Sequence, residues 1–453
     1  MFTTTNPATE QTLATYEFLT DAQLEATLEA AARAQRSWRD EPVAERSALL
    51  RSIAARLRDD REPLAQLITQ EMGKPIREAR SEVEKSAVTL DYYADNGADI
   101  LAFEQIPTQA QCSGVRFDPL GVVLAIMPWN YPLWQFFRFA APALIAGNAA
   151  LLKHAANVAG CAERIMAVLA DAGVPEGLVG NLMIDTPTIE RVIADRRVAA
   201  VTLTGSTRVG AIVAAQAGSV LKKQVLELGG SDPFIVLADA DLEAAATVAV
   251  KARFTASGQS CVNAKRFIVV DKVADEFVRL FVDRASELVV GDPTDETTDV
   301  GPLARADLRD AVADQVRLSI EAGAEVALGG EPLPGPGYFY RPTILDRVPR
   351  TAPAACEETF GPAAAVIRVA DEDEAIQVAN DTDYGLGASL WTQDRSRAEI
   401  LTSRIEAGAV FVNAQVASDA RLPFGGIKRS GYGRELSGYG LREFANIKTI
   451  WID

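Results

Sequence analysis

One histidine, His154, in 453 residues removes most Ser-His-Asp and Cys-His catalytic schemes and most histidine-based metal sites. Four cysteines, at 112, 161, 261 and 356, show no C-x-x-C spacing, so neither a zinc site nor a disulfide-stapled secreted domain is expected. Neither G-x-G-x-x-G nor G-x-x-x-x-G-K-[ST] can be read anywhere. The longest apolar stretch, "FAAPALIAGNAALL" at 139–152, holds Pro142 and Asn148 and is too short to cross a bilayer. The N-terminus has no basic region followed by an apolar one, so no signal peptide is expected. Positive charge is also scarce: a net charge of −17 argues against a general nucleic-acid binder. Together these absences leave a cytoplasmic protein without metal, with reduced cysteines, and bound to neither membrane nor nucleic acid.

What is present is a large potential core, 48% hydrophobic, long enough for two or three domains. Helical spacing places Leu24, Leu28, Ala31 and Ala32 on one face of 21–38, with Thr20 or Asp21 as N-cap, and repeats over 45–58. The first hundred residues are thus expected to be mostly helical. After them, short apolar runs alternate with helical lengths: "GVVLAIM" (121–127), "NAALLK" (148–153), "AAVTLTG" (199–205), "DPFIVL" (232–237) and "RFIVVD" (266–271). Runs bounded by Gly, Pro or Asp in this way predict βαβ units, parallel sheets and two α/β domains. "GGEPLPGPGYFYRP" (329–342) reads as a surface loop.

Three segments could carry chemistry. "TGSTRVG" (204–210) follows an apolar run and enters a small-residue helix, so it is either a phosphate cradle or an ordinary βα turn. Glu227 in "VLELGGSDPF" is either a base whose pKa is raised by apolar surroundings or a solvent-facing strand end. Cys261 in "ASGQSCVNAKRF" is either a buried inert thiol or a nucleophile, with Lys265 and Arg266 nearby as a source of positive field.

The ordered set "EMGKP" (71–75), "MPWNYP" (127–132), "TGSTRVG", "LELGGSDP", "GQSCVNAKR" (258–266), "EETFGP" (357–362), "NDTDYGLGASLWT" (380–392), "GAVFVN" (408–413) and "PFGGIKRSGYGRE" (423–435) resembles the NAD(P)-dependent aldehyde dehydrogenase family. The match runs from about residue 5 to the C-terminus. The resemblance implies a Rossmann-like cofactor domain (1–100 and 120–226) and an α/β catalytic domain (227–442). It also implies a small β oligomerisation element (101–119 and 443–453) and a homodimer or dimer of dimers.

The same resemblance assigns Cys261 as nucleophile and Glu227 as general base. The oxyanion donors are then the Asn130 amide and the Cys261 N–H. Cofactor contacts are expected from Trp129, Lys153, Gly205, Ser206, Glu358 and Phe360. The position three after Lys153, where NAD-preferring members often carry an acid, is Ala156. With His154 beside the lysine, NADP is the preferred cofactor and NAD is tolerated. Within the family the chain is most similar to members acting on succinate semialdehyde. Arg138, eight residues after Asn130 and one helical turn from Trp134, is then expected to pair with the distal carboxylate, together with Ser418. Arg421 is a further cationic candidate. A general aldehyde dehydrogenase with a structural Arg138, and a non-catalytic binding protein on the same fold, are the alternatives. Asn263, where some relatives carry a second cysteine, excludes a local disulfide switch.

Overall fold

The helical start is as expected, with one addition. A computed structural model describes residues 1–453. Helix Asp21–Trp38 opens on a reciprocal cap: the Thr20 hydroxyl accepts from the Gln23 N–H, and the Gln23 side chain accepts from the Thr20 N–H. Helices Val43–Asp59, Arg61–Met72 and Ile76–Ile100 follow. Before them, Phe2–Thr5 and Thr12–Tyr16 form an antiparallel hairpin. Its threonine-rich strands bury only Thr4 fully, so no apolar alternation announced it.

Each apolar run is a strand: Val122–Met127, Ala149–His154, Val198–Thr204, Asp232–Val236 and Ala264–Val270. The first three join Val179–Asn181, Lys223–Glu227 and Gly431–Tyr432 in a six-stranded sheet, parallel except at the Gly431–Tyr432 edge. The last two belong to a seven-stranded sheet, parallel except at Glu325–Leu328. Strands buried on both faces read as continuous apolar runs because helices cover each side. Strand Val122–Met127 has Ala149–His154 on one side and Val198–Thr204 on the other. The order therefore reverses beside it, which opens a crevice at the carboxyl ends of the strands.

Cys112–Pro119 pairs with Ala445–Ile452 and Glu104–Gln105 in a separate antiparallel sheet. Gly431–Tyr432 extends the first sheet beside Glu227 and Leu226, and Leu441 joins the first core. The chain thus re-enters the first layer before residue 442, because the edge of Lys223–Glu227 is free to take a strand.

Candidate active site

Cys261 follows three consecutive left-handed residues, Ala256 (φ 53°), Ser257 (φ 54°) and Gly258 (φ 73°). Two of these carry side chains, so the turn is strained and must be held by its surroundings. The Glu78 carboxylate accepts the Ala256 N–H at 2.7 Å, and the Ser257 hydroxyl donates to the Gly301 carbonyl at 3.0 Å. Gly258 lies against the Gly361 carbonyl, where a Cβ has no room. Lys265 supplies part of the positive field expected of it at Cys261, and Arg266 does not. Lys265 donates to the carbonyls of Ser260, Cys261 and Asn263, and Arg266 to those of Ser231, Val378 and Ala379. Both are buried: Lys265 clamps the backbone of the cysteine loop, and Arg266 ties its strand to the Ser231 turn and to the end of helix Glu372–Asn380. Burial pushes the Cys261 thiol up to about 12, with Arg138 and Lys265 opposing it and Glu227 adding to it.

Glu227 ends strand Lys223–Glu227 and is buried, so the solvent-facing reading is excluded. Burial raises its pKa well above the carboxylate range; repulsion from Glu435 adds to this, and Arg138 and Arg434 oppose it. Both carboxylate oxygens lack a hydrogen-bond partner, which leaves them available to a water and a substrate. The glycine pair that follows is a packing requirement. A Cβ on Gly229 would lie 2.5 Å from Glu358 Oε2, and one on Gly230 would lie 2.7 Å from the Cys261 carbonyl. Glu358 Oε1 accepts the Gly230 N–H at 3.0 Å, so "LELGG", "GQSC" and "EETFGP" meet at one point.

Asn130 lies in the turn before helix Trp134–Ile145 and donates through Nδ2 to the Gln259 carbonyl at 2.9 Å. Its Oδ1 is buried and unpartnered. Helix Ile76–Ile100 fixes this turn from outside: Glu82 Oε1 accepts the N–H groups of Leu133 and Trp134 at 2.9 and 3.1 Å. Lys74, fully buried, pairs with Glu82 and sits 3.5 Å from the Tyr131 ring centroid. This is the role of "EMGKP", which the sequence placed in a motif but gave no function.

The crevice beside Val122–Met127 fits a dinucleotide phosphate. Helix Thr207–Ser219 starts there with Ser206 as N-cap, its Oγ accepting from the Val209 N–H at 3.4 Å. Gly210 lets this helix close on Leu228, since a Cβ there would meet Leu228 Cδ1 at 2.5 Å. Lys153, near the end of Ala149–His154, is lowered by burial, with no carboxylate offsetting it. Ala156 is exposed at the start of the next turn. Trp129 and Phe360 meet edge to face at 5.7 Å. His154 is the exception. It is buried and lowered to about 4, its Nδ1 accepts the Ala155 N–H, and its other nitrogen donates to the Pro132 carbonyl at 2.8 Å. A neutral ring so engaged is a brace for the Asn130 turn and offers no charge to a 2′-phosphate.

A cavity of about 400 Å³ has Cys261, Trp134, Arg138, Ser418, Lys85 and Phe424 in its wall. Arg138 is 2% exposed and already occupied: it pairs with Glu435, donates to Thr204 Oγ1 at 3.2 Å and lies over the Phe424 ring. Arg421 is not in this wall; it is 77% exposed and held by Asp419 at 2.6 Å. Lys85, by contrast, was not anticipated, because one lysine in a polar-looking helix carries no sequence signal. Glu435 lay inside a quoted motif but was given no role.

The sequence model of the aldehyde dehydrogenase family matches residues 1–450. The chain is 48% identical over 448 residues to a succinate semialdehyde dehydrogenase [NAD(P)+], Sad, of Escherichia coli K12, covering 99% of this chain and 97% of that protein. It is 49% identical over 455 residues to a succinate-semialdehyde dehydrogenase [NADP(+)] of Mycobacterium ulcerans, covering 99% of both. Among solved structures, a succinic semialdehyde dehydrogenase from Streptococcus pyogenes in complex with NADP+ superposes with a TM-score of 0.97 at 40% identity, covering 100% of each chain. By the full-length family match and these relatives, with the strained cysteine loop opening on the cavity, the chain belongs to the aldehyde dehydrogenase family.

Proposed function

We propose that this protein oxidises succinate semialdehyde to succinate, with NADP as the preferred cofactor and NAD as a tolerated one. The observation that carries the reading is the cavity, whose wall holds Cys261 together with Arg138, Lys85 and Ser418. An aldehyde at the cysteine would place a carboxylated tail among cationic and hydroxyl groups in an otherwise acidic protein. The full-length relatives named above support the substrate class and the cofactor.

In this mechanism Cys261 gives up its thiol proton to solvent by way of Glu227, and the sulfur attacks the aldehyde carbon. The resulting oxyanion is received by the Asn130 amide and the Cys261 N–H, which no carbonyl of the chain engages. NADP, when bound, supplies the hydride acceptor that turns the thiohemiacetal on Cys261 into a thioester. Glu227 then takes a proton from water, which attacks the thioester carbon; the acid leaves and the thiol is restored. Its raised pKa makes Glu227 a willing proton acceptor, while Arg138 and Arg434 keep the deprotonated form within reach. Glu358 and Phe360 would hold the nicotinamide end, and Lys153, Gly205 and Ser206 the adenosine ribose and pyrophosphate.

The small antiparallel sheet supports a homodimer or a dimer of dimers: Ile447 and Trp451 on its outer strand are 59% and 46% exposed. No helix is long and apolar enough to cross a membrane, and the four cysteines are free, which supports a reducing cytoplasmic setting. The deciding experiment compares steady-state rates with succinate semialdehyde and butanal under NADP and NAD. A preference of about tenfold or more in kcat/KM for the carboxylated aldehyde is expected. Equal rates would make this a general aldehyde dehydrogenase.

A further inference from the structure

A buried arginine without a carboxylate is costly, because the guanidinium leaves water and finds only neutral acceptors. The largest fully buried side chains of this protein are three arginines, and two are accounted for. Arg138 pairs with Glu435. Arg266 ties its own strand to the Ser231 turn and to the end of helix Glu372–Asn380. Arg253 has no acid partner, and most of what it holds lies on two loops of the candidate site.

Arg253 lies in the last turn of helix Leu242–Phe254, where the helix dipole favours a cation. One terminal nitrogen donates to the Ala264 carbonyl at 2.9 Å. The other serves three carbonyls: Gly258 at 3.3 Å, Thr359 at 3.1 Å, and Gly361. Gly258 belongs to the left-handed turn that leads into Cys261, whereas Thr359 and Gly361 flank Phe360 and follow Glu358. No other donor of the chain reaches the Gly258 and Thr359 carbonyls. A Cβ on Gly258 would meet the Gly361 carbonyl and, at 2.8 Å, Arg253 Nη2, so only glycine lets the guanidinium and both loops share this space. The carboxylate whose field bears on Arg253 is Glu358 itself.

Without Arg253 the two loops would not be held equally. The cysteine loop keeps its bonds from Ala256 to Glu78 and from Ser257 to Gly301, the Ala304 N–H on Gln259 Oε1 at 2.9 Å, and the Lys265 clamp. Across Glu358, Thr359 and Phe360 the other loop keeps two hydrogen bonds. These are the Gly230 N–H on Glu358 Oε1 at 3.0 Å and the Gln315 amide on the Glu358 carbonyl at 3.3 Å.

We propose that Arg253 is a positioning residue for hydride transfer: it fixes the loop of Glu358 and Phe360, and with it the nicotinamide end of the cofactor, against the loop that carries Cys261. The inference rests on the roles given above to Cys261, Glu227 and Glu358. Hydride passes only between atoms held in near-attack geometry, and a misplacement of ~1 Å can cost about a hundredfold. Attack by the thiol on a carbonyl carbon needs no cofactor and does not depend on this alignment.

The test compares two reactions in the wild type, Arg253→Met and Arg253→Lys: oxidation of succinate semialdehyde with NADP, and hydrolysis of p-nitrophenyl acetate without cofactor. In the second, Cys261 takes the acetyl group, p-nitrophenolate leaves, and water deprotonated by Glu227 releases acetate. The ratio of the oxidation kcat to the hydrolysis kcat does not depend on how much of the protein is folded. It is expected to fall by about tenfold to a hundredfold in Arg253→Met, with a higher KM for NADP. Arg253→Lys keeps the charge but loses the fork that spans four carbonyls, so its ratio should fall less. The lysine variant carries the comparison alone if the methionine variant does not fold. An unchanged ratio, whether both rates hold or both fall together, overturns the assignment. A wild type inactive on both compounds sinks the reading of Cys261 and Glu227, and this inference with it.

Discussion

Replacing Gly229 with alanine should weaken cofactor binding while leaving the fold intact. Gly229 is not at a positive φ, so the added methyl meets no backbone penalty. It meets a carboxylate: the new Cβ would lie 2.5 Å from Glu358 Oε2, 3.1 Å from its Cδ and 3.2 Å from Tyr384 Cε1. These are contacts real Cβ atoms do not make at ordinary strain, and the movable partner is the end of the glutamate side chain. Glu358 must therefore swing away and release its 3.0 Å bond from the Gly230 N–H. A hydrogen bond to an ionised group contributes about 1.5–3 kcal/mol. If Glu358 helps hold the cofactor, the Kd for NADP should rise by roughly ten- to a hundredfold, since ~1.4 kcal/mol is a factor of ten. Titrating NADP against intrinsic tryptophan fluorescence reads this directly, with Trp129 close by and circular dichroism as the check on folding. A folded Gly229→Ala protein with an unchanged Kd would refute the reasoning, either because Glu358 does not move or because it does not touch the cofactor.

Three further outcomes follow from the same geometry. The Cys261 thiol is pushed up to about 12, so in the cofactor-free protein its alkylation by iodoacetamide should keep rising about tenfold per pH unit from 7 to 9; a plateau below pH 8 would mean that the thiolate is already formed. Glu82→Gln leaves the buried Lys74 without its anion and should destabilise the protein by about 3–5 kcal/mol in urea unfolding. A loss below about 1 kcal/mol, the range of exposed pairs, would show that the pair is wet. Ala156→Glu places a carboxylate near Lys153 and should raise KM for NADP more than KM for NAD by roughly tenfold; an equal effect on both would place the 2′-phosphate elsewhere.

Much of this molecule was legible along the chain because the determining interactions are local. Apolar spacing selects helices at 21–38 and 43–59, and doubly buried runs select strands. The order of the motifs was enough to set Cys261, Glu227 and Asn130 side by side as candidates. Glycines at 229 and 230 also stood out in the sequence, though why they must be glycine depends on Glu358 and the Cys261 carbonyl arriving from elsewhere. His154 illustrates the limit: its neighbour Lys153 suggested a cofactor contact, whereas the ring turns inward to the Pro132 carbonyl.

Charge was decided by tertiary structure alone. Whether an arginine or lysine is available to a substrate depends on which acid folding brings to it, and that acid is commonly far away in the chain. Arg138 looked free until Glu435 arrived, and Arg266 looked electropositive until its donors closed on the carbonyls of Ser231, Val378 and Ala379. Lys85 carried no signal until Ser418, 333 residues away, met it inside the cavity. By itself, the sequence determined most of the elements, their order and the candidate reacting residues, since backbone preference and burial pattern act over a few residues. The fold decided which charges remain unbalanced, because Coulomb pairing in a low-dielectric interior follows distance in space, and distance in sequence has no part in it.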